Sequence, residues 1–105
     1  MGLDQYFLTT KNYGDNEIIY FRKYHKLDNF IRERLGFKEN GGLVRLLDID
    51  IQAIRDFIIE DAKDNFTFEN YESNGAPYND AFYRIIGILT YYLLTQKPFY
   101  YGSDW

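Results

Sequence analysis

His25 is the single histidine of the chain, and so its only candidate for imidazole catalysis. On a helix its side is shared by Arg22, Asn29 and Arg32 at i−3, i+4 and i+7, with Asp28 at i+3. A His–Asp pair can serve as a general base. The serines are Ser73 and Ser103, and neither lies near His25 in sequence, so a hydrolase built on His25 lacks an evident nucleophile. The same stripe also reads electrostatically. Arg22, Lys23, His25 and Arg32 form an anion-binding set that would take phosphates, with tyrosine rings for stacking. The default for such a pattern is a solvated polar stripe facing away from the core. We assign no catalytic residue.

Other chemistries are narrower still. The chain has no cysteine, which removes disulfides, zinc–thiolate sites and thiol nucleophiles. Asp48 and Asp50 are close, but no calcium-loop pattern surrounds them, and helix capping accounts for both. Asn40-Gly41-Gly42 lacks the lysine spacing of a P-loop and the three glycines of a dinucleotide fold, so it reads as a turn. We expect no metal and no cofactor.

Charge says more by distribution than by total. Of 28 charged residues 16 are acidic, giving a net −4, which argues against direct nucleic-acid binding. Residues 11–45 hold eight basic and five acidic groups, +3, whereas residues 46–80 hold two and nine, −7. Within the acidic stretch, Asp56, Glu60 and Asp64 stand at i, i+4 and i+8, one ridge of a helix. Like charges at that spacing cost about 0.2–0.5 kcal/mol per pair. Glu60, Asp61 and Asp64 also crowd a C-terminal turn, where the helix dipole disfavours anions. Drift on a solvated face is one account of this ridge, and a docking surface for a basic partner, a reason outside the monomer, is the other. The following stretch, Asn65 to Asn79, sets Phe66, Phe68, Tyr71 and Tyr78 among Glu69 and Glu72. We take Asp56, Glu60, Asp64, Tyr71 and Tyr78 as the partner-binding set, facing a protein with a basic surface.

These residues need elements to position them. Leu3–Thr10 and Glu17–Phe21 read as strands joined by turn residues Asn12–Asn16. Tyr24, Leu27, Ile31 and Leu35 share one face of a helix over Lys23–Leu35, with Gly36 as its left-handed cap. Leu43–Leu47 is a short strand. A second helix, capped by Asp48 or Asp50, runs to about Lys63 with Ile51, Ile54, Phe57, Ile58 and Ala62 inward. A third, capped by Asn79 or Asp80, covers Ala81 to about Gln96 before Pro98. It is apolar nearly all round, so it is expected to be the central buried helix, with Ile85, Ile86, Leu89 and Leu93 in the core and Gly87 marking a close approach. Phe99–Tyr101 is a last strand, and Phe99, Tyr101 and Trp105 are expected to pack. The order β-β-α-β-α-α-β predicts one α+β domain over residues 1–105, a small antiparallel or mixed sheet with three helices. With 20% aromatic residues, the core is expected to be built largely from rings. No basic leader precedes an apolar run, and Ala81–Leu94 is too short and too interrupted to span a bilayer, so a cytoplasmic, non-membrane protein is expected.

Several segments resemble a known family. The chain opens Met1-Gly2-Leu3-Asp4-x-Tyr6, continues with Glu17-Ile18-Ile19-Tyr20-Phe21-Arg22-Lys23 entering a helix with Leu27, Asn29 and Phe30, and closes Phe99-Tyr100-Tyr101-x-Ser103-x-Trp105. This is similar to a family of small, mostly uncharacterised proteins of bacteriophages and prophages. They begin Gly-Leu-Asp-aromatic, carry a Tyr-Trp-Arg-Lys segment and end near Tyr-x-Ser-Ser-Trp. Here Phe21 replaces the usual Trp, Asp28 stands where the family often has His, and Asp104 replaces a serine. The resemblance implies phage origin and a bacterial cytoplasm, and no known activity. With no convincing catalytic set, the expected function is a non-enzymatic accessory protein that binds and inhibits or redirects a host or defence protein, of the anti-CRISPR or another anti-defence type by analogy. The alternative is a small-molecule or nucleotide-binding, sequestering module using the basic first helix.

Overall fold

In a computed structural model, residues 2–9, 17–65 and 78–105 are described, with backbone alone at 17, 18, 63–65 and 78–82. The elements are β1 (Asp4–Leu8), β2 (Glu17–Arg22), α1 (His25–Leu35), β3 (Leu43–Arg45), α2 (Asp48–Asn65), α3 (Tyr78–Thr95) and β4 (Tyr100–Asp104). This is the expected α+β order. The expected turn at Asn12–Asn16 and the stretch 66–77 lie outside the described residues.

The four strands form one antiparallel sheet in the order β2-β1-β4-β3. The tail is therefore a central strand: Asp4 pairs with Asp104 and Leu8 with Tyr100. Alternation sorts the side chains onto two faces. Leu3, Gln5 and Phe7 of the first strand region, Ile19 and Phe21 of β2, and Phe99, Tyr101 and Ser103 at β4 are all buried. Phe7 is the hub of this layer, with Phe21, Phe99 and Tyr101 rings 5.2–5.7 Å away. The expectation of a ring-built core holds here, and Trp105, although half exposed, is held as well. Tyr6, Tyr20 and Arg22 lie on the opposite face, where Tyr20 donates to Asp4 at 2.6 Å.

Boundaries shift for identifiable reasons. α1 begins at His25, not Lys23, because Lys23 takes φ +65° and Tyr24 has φ −87°, ψ 70°, so the chain turns between β2 and the helix. Gly36, at φ +65°, ends it as expected, with its N–H on the Arg32 carbonyl. Neither Asp48 nor Asp50 occupies the N-cap position of α2. Leu47 does, since its carbonyl accepts from the Asp50 and Ile51 N–H groups at 2.9 Å. Asp50 returns from the third helical position to accept the Leu47 N–H at 2.9 Å, half of a capping box. α3 starts at Tyr78, so Asn79 and Asp80 fall in its first turn, and it stops when Gln96 adopts φ +56°, ahead of Pro98.

The expectation of a central α3 is corrected. Among the described side chains, α2 buries Ile51, Ile54, Ile58 and Ala62, whereas α3 buries Ile85 and Leu89, with Ile86 and Leu93 only partly covered. Tyr83, Tyr91 and Leu94 face water, so α3 has an outer side despite its composition. Tyrosine permits this, being apolar in its ring and wet at its tip. Gly87 marks no close approach either: a Cβ there would meet nothing within 4 Å. Among the described residues, no helix is long and apolar enough to cross a membrane.

Candidate functional site

Gln5 begins the site. Wholly buried on β1, its side-chain amide accepts the Tyr24 N–H at 2.8 Å and donates to the Tyr24 carbonyl at 3.1 Å. A side chain thus pairs with both backbone groups of the residue preceding α1, as a neighbouring strand would. With the Lys23 N–H on the Leu3 carbonyl at 2.8 Å, this pins the start of α1 across β1 and β4. Leu27 and Ile31 then point into the core, and Asp28 is carried in beside them.

Asp28 is 5% exposed and acts as the hub of a polar cluster inside an otherwise apolar layer. Its Oδ1 accepts from Tyr101 Oη at 2.7 Å, Ser103 Oγ at 2.6 Å and Arg32 Nε at 3.1 Å. Its Oδ2 accepts from Arg32 Nε alone, at 3.0 Å. Arg32 Nη2 donates onward to Ser103 Oγ at 2.6 Å and Nη1 to the Phe37 carbonyl at 3.3 Å. Gln5 Nε2 donates to Tyr101 Oη at 2.9 Å, closing the cluster. Burial, and then the adjacent Asp28 carboxylate, push the Tyr101 phenol well above its ordinary range, so it remains an O–H donor near neutrality.

The Arg32 guanidinium lies between two rings, 4.6 Å from the Phe37 centroid and 4.1 Å from that of Trp105. Asn40 fixes Trp105 by its backbone, accepting its N–H at 2.9 Å and donating to its carbonyl at 3.1 Å. Between α1, Leu3 and Trp105 opens a cavity of about 420 Å³, lined by Leu3, His25, Asp28, Asn29, Arg32 and Trp105. The stripe at helical spacing from His25 does not face away from the fold, as the default reading had it. Of its five members, Arg22 lies off the helix in β2, Asp28 and Arg32 are hydrogen-bonded to the sheet, and His25, Asp28, Asn29 and Arg32 border the cavity.

The four proposed anion ligands are not gathered together. Arg22 lies on the other face of the sheet with Asp4, Nε to Oδ1 3.1 Å. Lys23 is exposed at the left-handed turn. His25 and Arg32 share the cavity, but the Arg32 charge is answered by Asp28. Ser103 comes to Asp28 and Arg32 rather than to His25, whose side chain makes no hydrogen bond among the described residues, so no Ser–His pair forms. Ser73 is outside the described residues. The signal for the missed members was present: Tyr101, Ser103 and Trp105 at i, i+2 and i+4 fall on one side of a strand.

Helix α2 treats its acids in two ways. Asp61 is buried and accepts Tyr24 Oη at 2.7 Å, with Lys26 Nζ at 3.5 Å. Asp50, also buried, pairs with Arg34, Nε to Oδ1 3.1 Å. Part of the basic-to-acidic polarity of the sequence is therefore an internal seam between α1 and α2. Asp48 turns elsewhere, accepting Gln96 Nε2 at 2.9 Å, so Asp48 and Asp50 do not converge on a shared cation. On the outer side, Asp56 and Glu60 are exposed, and Gln52 donates to Asp56 at 2.9 Å. The side chains of Asp64, Tyr71 and Tyr78 lie outside the described residues.

The chain matches no family model, no curated protein and no solved structure.

Proposed function

We propose that the protein is a non-catalytic accessory protein of phage type, which acts by docking on a basic surface of a host or defence protein and inhibiting or redirecting it. One observation carries this reading. Ile49 is 69% exposed and stands seven residues before Asp56 and eleven before Glu60, so the three form a single outward stripe of α2. With Leu47 also exposed, two apolar side chains stand together at the head of this acidic stripe. Leu47 lies where the Asp48–Gln96 hydrogen bond joins the start of α2 to the end of α3. An apolar anchor followed by acids suits a partner with an apolar patch bordered by Lys and Arg. The acids steer approach, and the apolar contact sets residence.

The sequence resemblance supports the phage setting. Asp28, Arg32 and Ser103 are hydrogen-bonded to one another, which fits a structural use of these three residues.

The test begins with capture of partners on the immobilised wild-type protein. Association with the captured partner is then measured at low and high salt for wild type, Asp56→Lys/Glu60→Lys and Ile49→Ala. Association of wild type is expected to slow as salt rises. The double variant is expected to associate more slowly at low salt, and Ile49→Ala to dissociate faster. A double variant that associates as fast as wild type at low salt would show a solvated face and nothing more.

A further inference from the structure

The cavity on α1 is not used by that reading, and its chemistry is specific. Its volume of about 420 Å³ lies in the usual range for small-molecule sites, about 300–1,000 Å³. Its buried acceptor is Asp28. Oδ1 already takes three donors, whereas Oδ2 takes Arg32 Nε only, leaving acceptor capacity on that oxygen. Beside it, Arg32 has five N–H groups, of which the Nε–H and one on each terminal nitrogen are committed, so two remain. An acceptor thus sits next to donors against an indole ring and an apolar Leu3 wall. His25 and Asn29 border the mouth, exposed, their side chains without hydrogen bonds among the described residues.

We propose that this cavity binds a nucleobase: a flat heterocycle whose edge sets an N–H donor beside a ring acceptor, the donor going to Asp28 and the acceptor facing Arg32. Phosphate is the wrong ligand here. The Arg32 charge is already balanced by Asp28 at 3.0 Å, and an added anion would lie beside that carboxylate. Arg22, the other arginine of the anion set, is on the far face of the sheet. The proposal is independent of the docking stripe on α2.

Trp105 is the only tryptophan, so its indole N–H gives one assignable resonance at the cavity. The full chain is titrated with adenosine, with purine riboside, which lacks the exocyclic amino donor, and with inorganic phosphate. Adenosine is expected to shift the Trp105 indole resonance saturably and to bind at least about tenfold tighter than purine riboside, which has no N–H to give to the remaining acceptor capacity of Asp28 Oδ2. Phosphate is expected neither to shift the resonance nor to compete. Asp28→Asn is expected to weaken adenosine at least about tenfold. If that variant fails to fold, the exposed rim changes His25→Ala and Asn29→Ala are read instead, each expected to weaken adenosine about threefold. Equal binding of adenosine and purine riboside would reduce the site to ring stacking and overturn the proposal. Displacement by phosphate, no indole shift at millimolar adenosine, or unchanged affinity in both rim variants would overturn it as well.

Discussion

Helices α1 and α2 each carry a polar stripe with a carboxylate at helical spacing, and the fold treats those carboxylates in opposite ways. On α1, Asp28 is drawn inside and takes four hydrogen-bond contacts from Tyr101, Ser103 and Arg32. On α2, Asp56 and Glu60 stay in water. Both stripes look alike on a helical wheel. What separates them is the sheet opposite. β4 offers two hydroxyls and α1 its own guanidinium to Asp28, enough donors to offset the loss of hydration. Among the described residues, Asp56 on the outer side of α2 receives only the Gln52 amide. Spacing within one helix tells which residues travel together, whereas the facing element decides whether they are buried.

The largest test of that contrast is Asp28→Ala. Removing the carboxylate leaves the Arg32 guanidinium, mostly buried, without its counter-charge, and chemical unfolding is expected to show a loss of about 3–5 kcal/mol. Asp56→Ala in the same assay is expected to change stability by no more than about 0.5 kcal/mol. Equal effects would erase the distinction between the two helices.

The same contrast runs along α3. Leu89 is fully buried and Leu94 is 76% exposed, five residues apart on one helix. Leu89→Ala is expected to cost about 2–5 kcal/mol. Leu94→Ala is expected to stay within about 0.5 kcal/mol. A Leu89 cost under about 1 kcal/mol would mean that α3 is not anchored through that side.

A smaller effect comes with alkali. The folded-state pKa of Tyr101 lies well above the ordinary 10.0. The unfolded chain therefore releases this proton first as pH climbs, and the native state holds more protons between the two values. The stability linked to Tyr101 is complete below pH 10 and declines above it, as pH rises toward the folded value. Tyr20, pushed to about 12 by burial and then by its hydrogen bond to Asp4, adds to the same decline. Urea midpoints at pH 9 and pH 11 are expected to fall for wild type, and to fall less for Tyr101→Phe, which has no phenol to titrate. Identical slopes would place Tyr101 outside the network.

The smallest effect is expected for Asp56→Lys/Glu60→Lys. Its stability should remain within about 0.5 kcal/mol of wild type. A loss above about 1 kcal/mol would show that these acids are structural after all.

Much of the fold was legible because its signals are local. Gly36 closing α1, Ile51, Ile54 and Ile58 on the inner side of α2, and the aromatic strands follow from period and cap chemistry. The errors were tertiary. An all-apolar pattern suggested that α3 was central, yet Tyr83 and Tyr91 are at ease in water. Asp61 looked misplaced against the helix dipole because Tyr24, 37 residues away, supplies its hydrogen bond. The Asp28 cluster joins residues 5, 28 and 101–103, a separation that no helical or strand period reports. His25 drew notice as a catalyst, whereas its neighbour three positions on was the buried group.

The position of β4 carries a consequence for how the molecule comes together. It lies between β1 and β3, yet of the described elements it is the last to be synthesised. Until it emerges from the ribosome, the β1–β2 hairpin and β3 each present an open backbone edge, and Phe7 lacks the ring of Phe99. The pairing of Asp4 with Asp104 is a contact between residues far apart in sequence, the long-range kind that slows folding. The sheet is thus completed only once β4 has been made, and a chain still lacking β4 is the state most exposed to edge-to-edge aggregation.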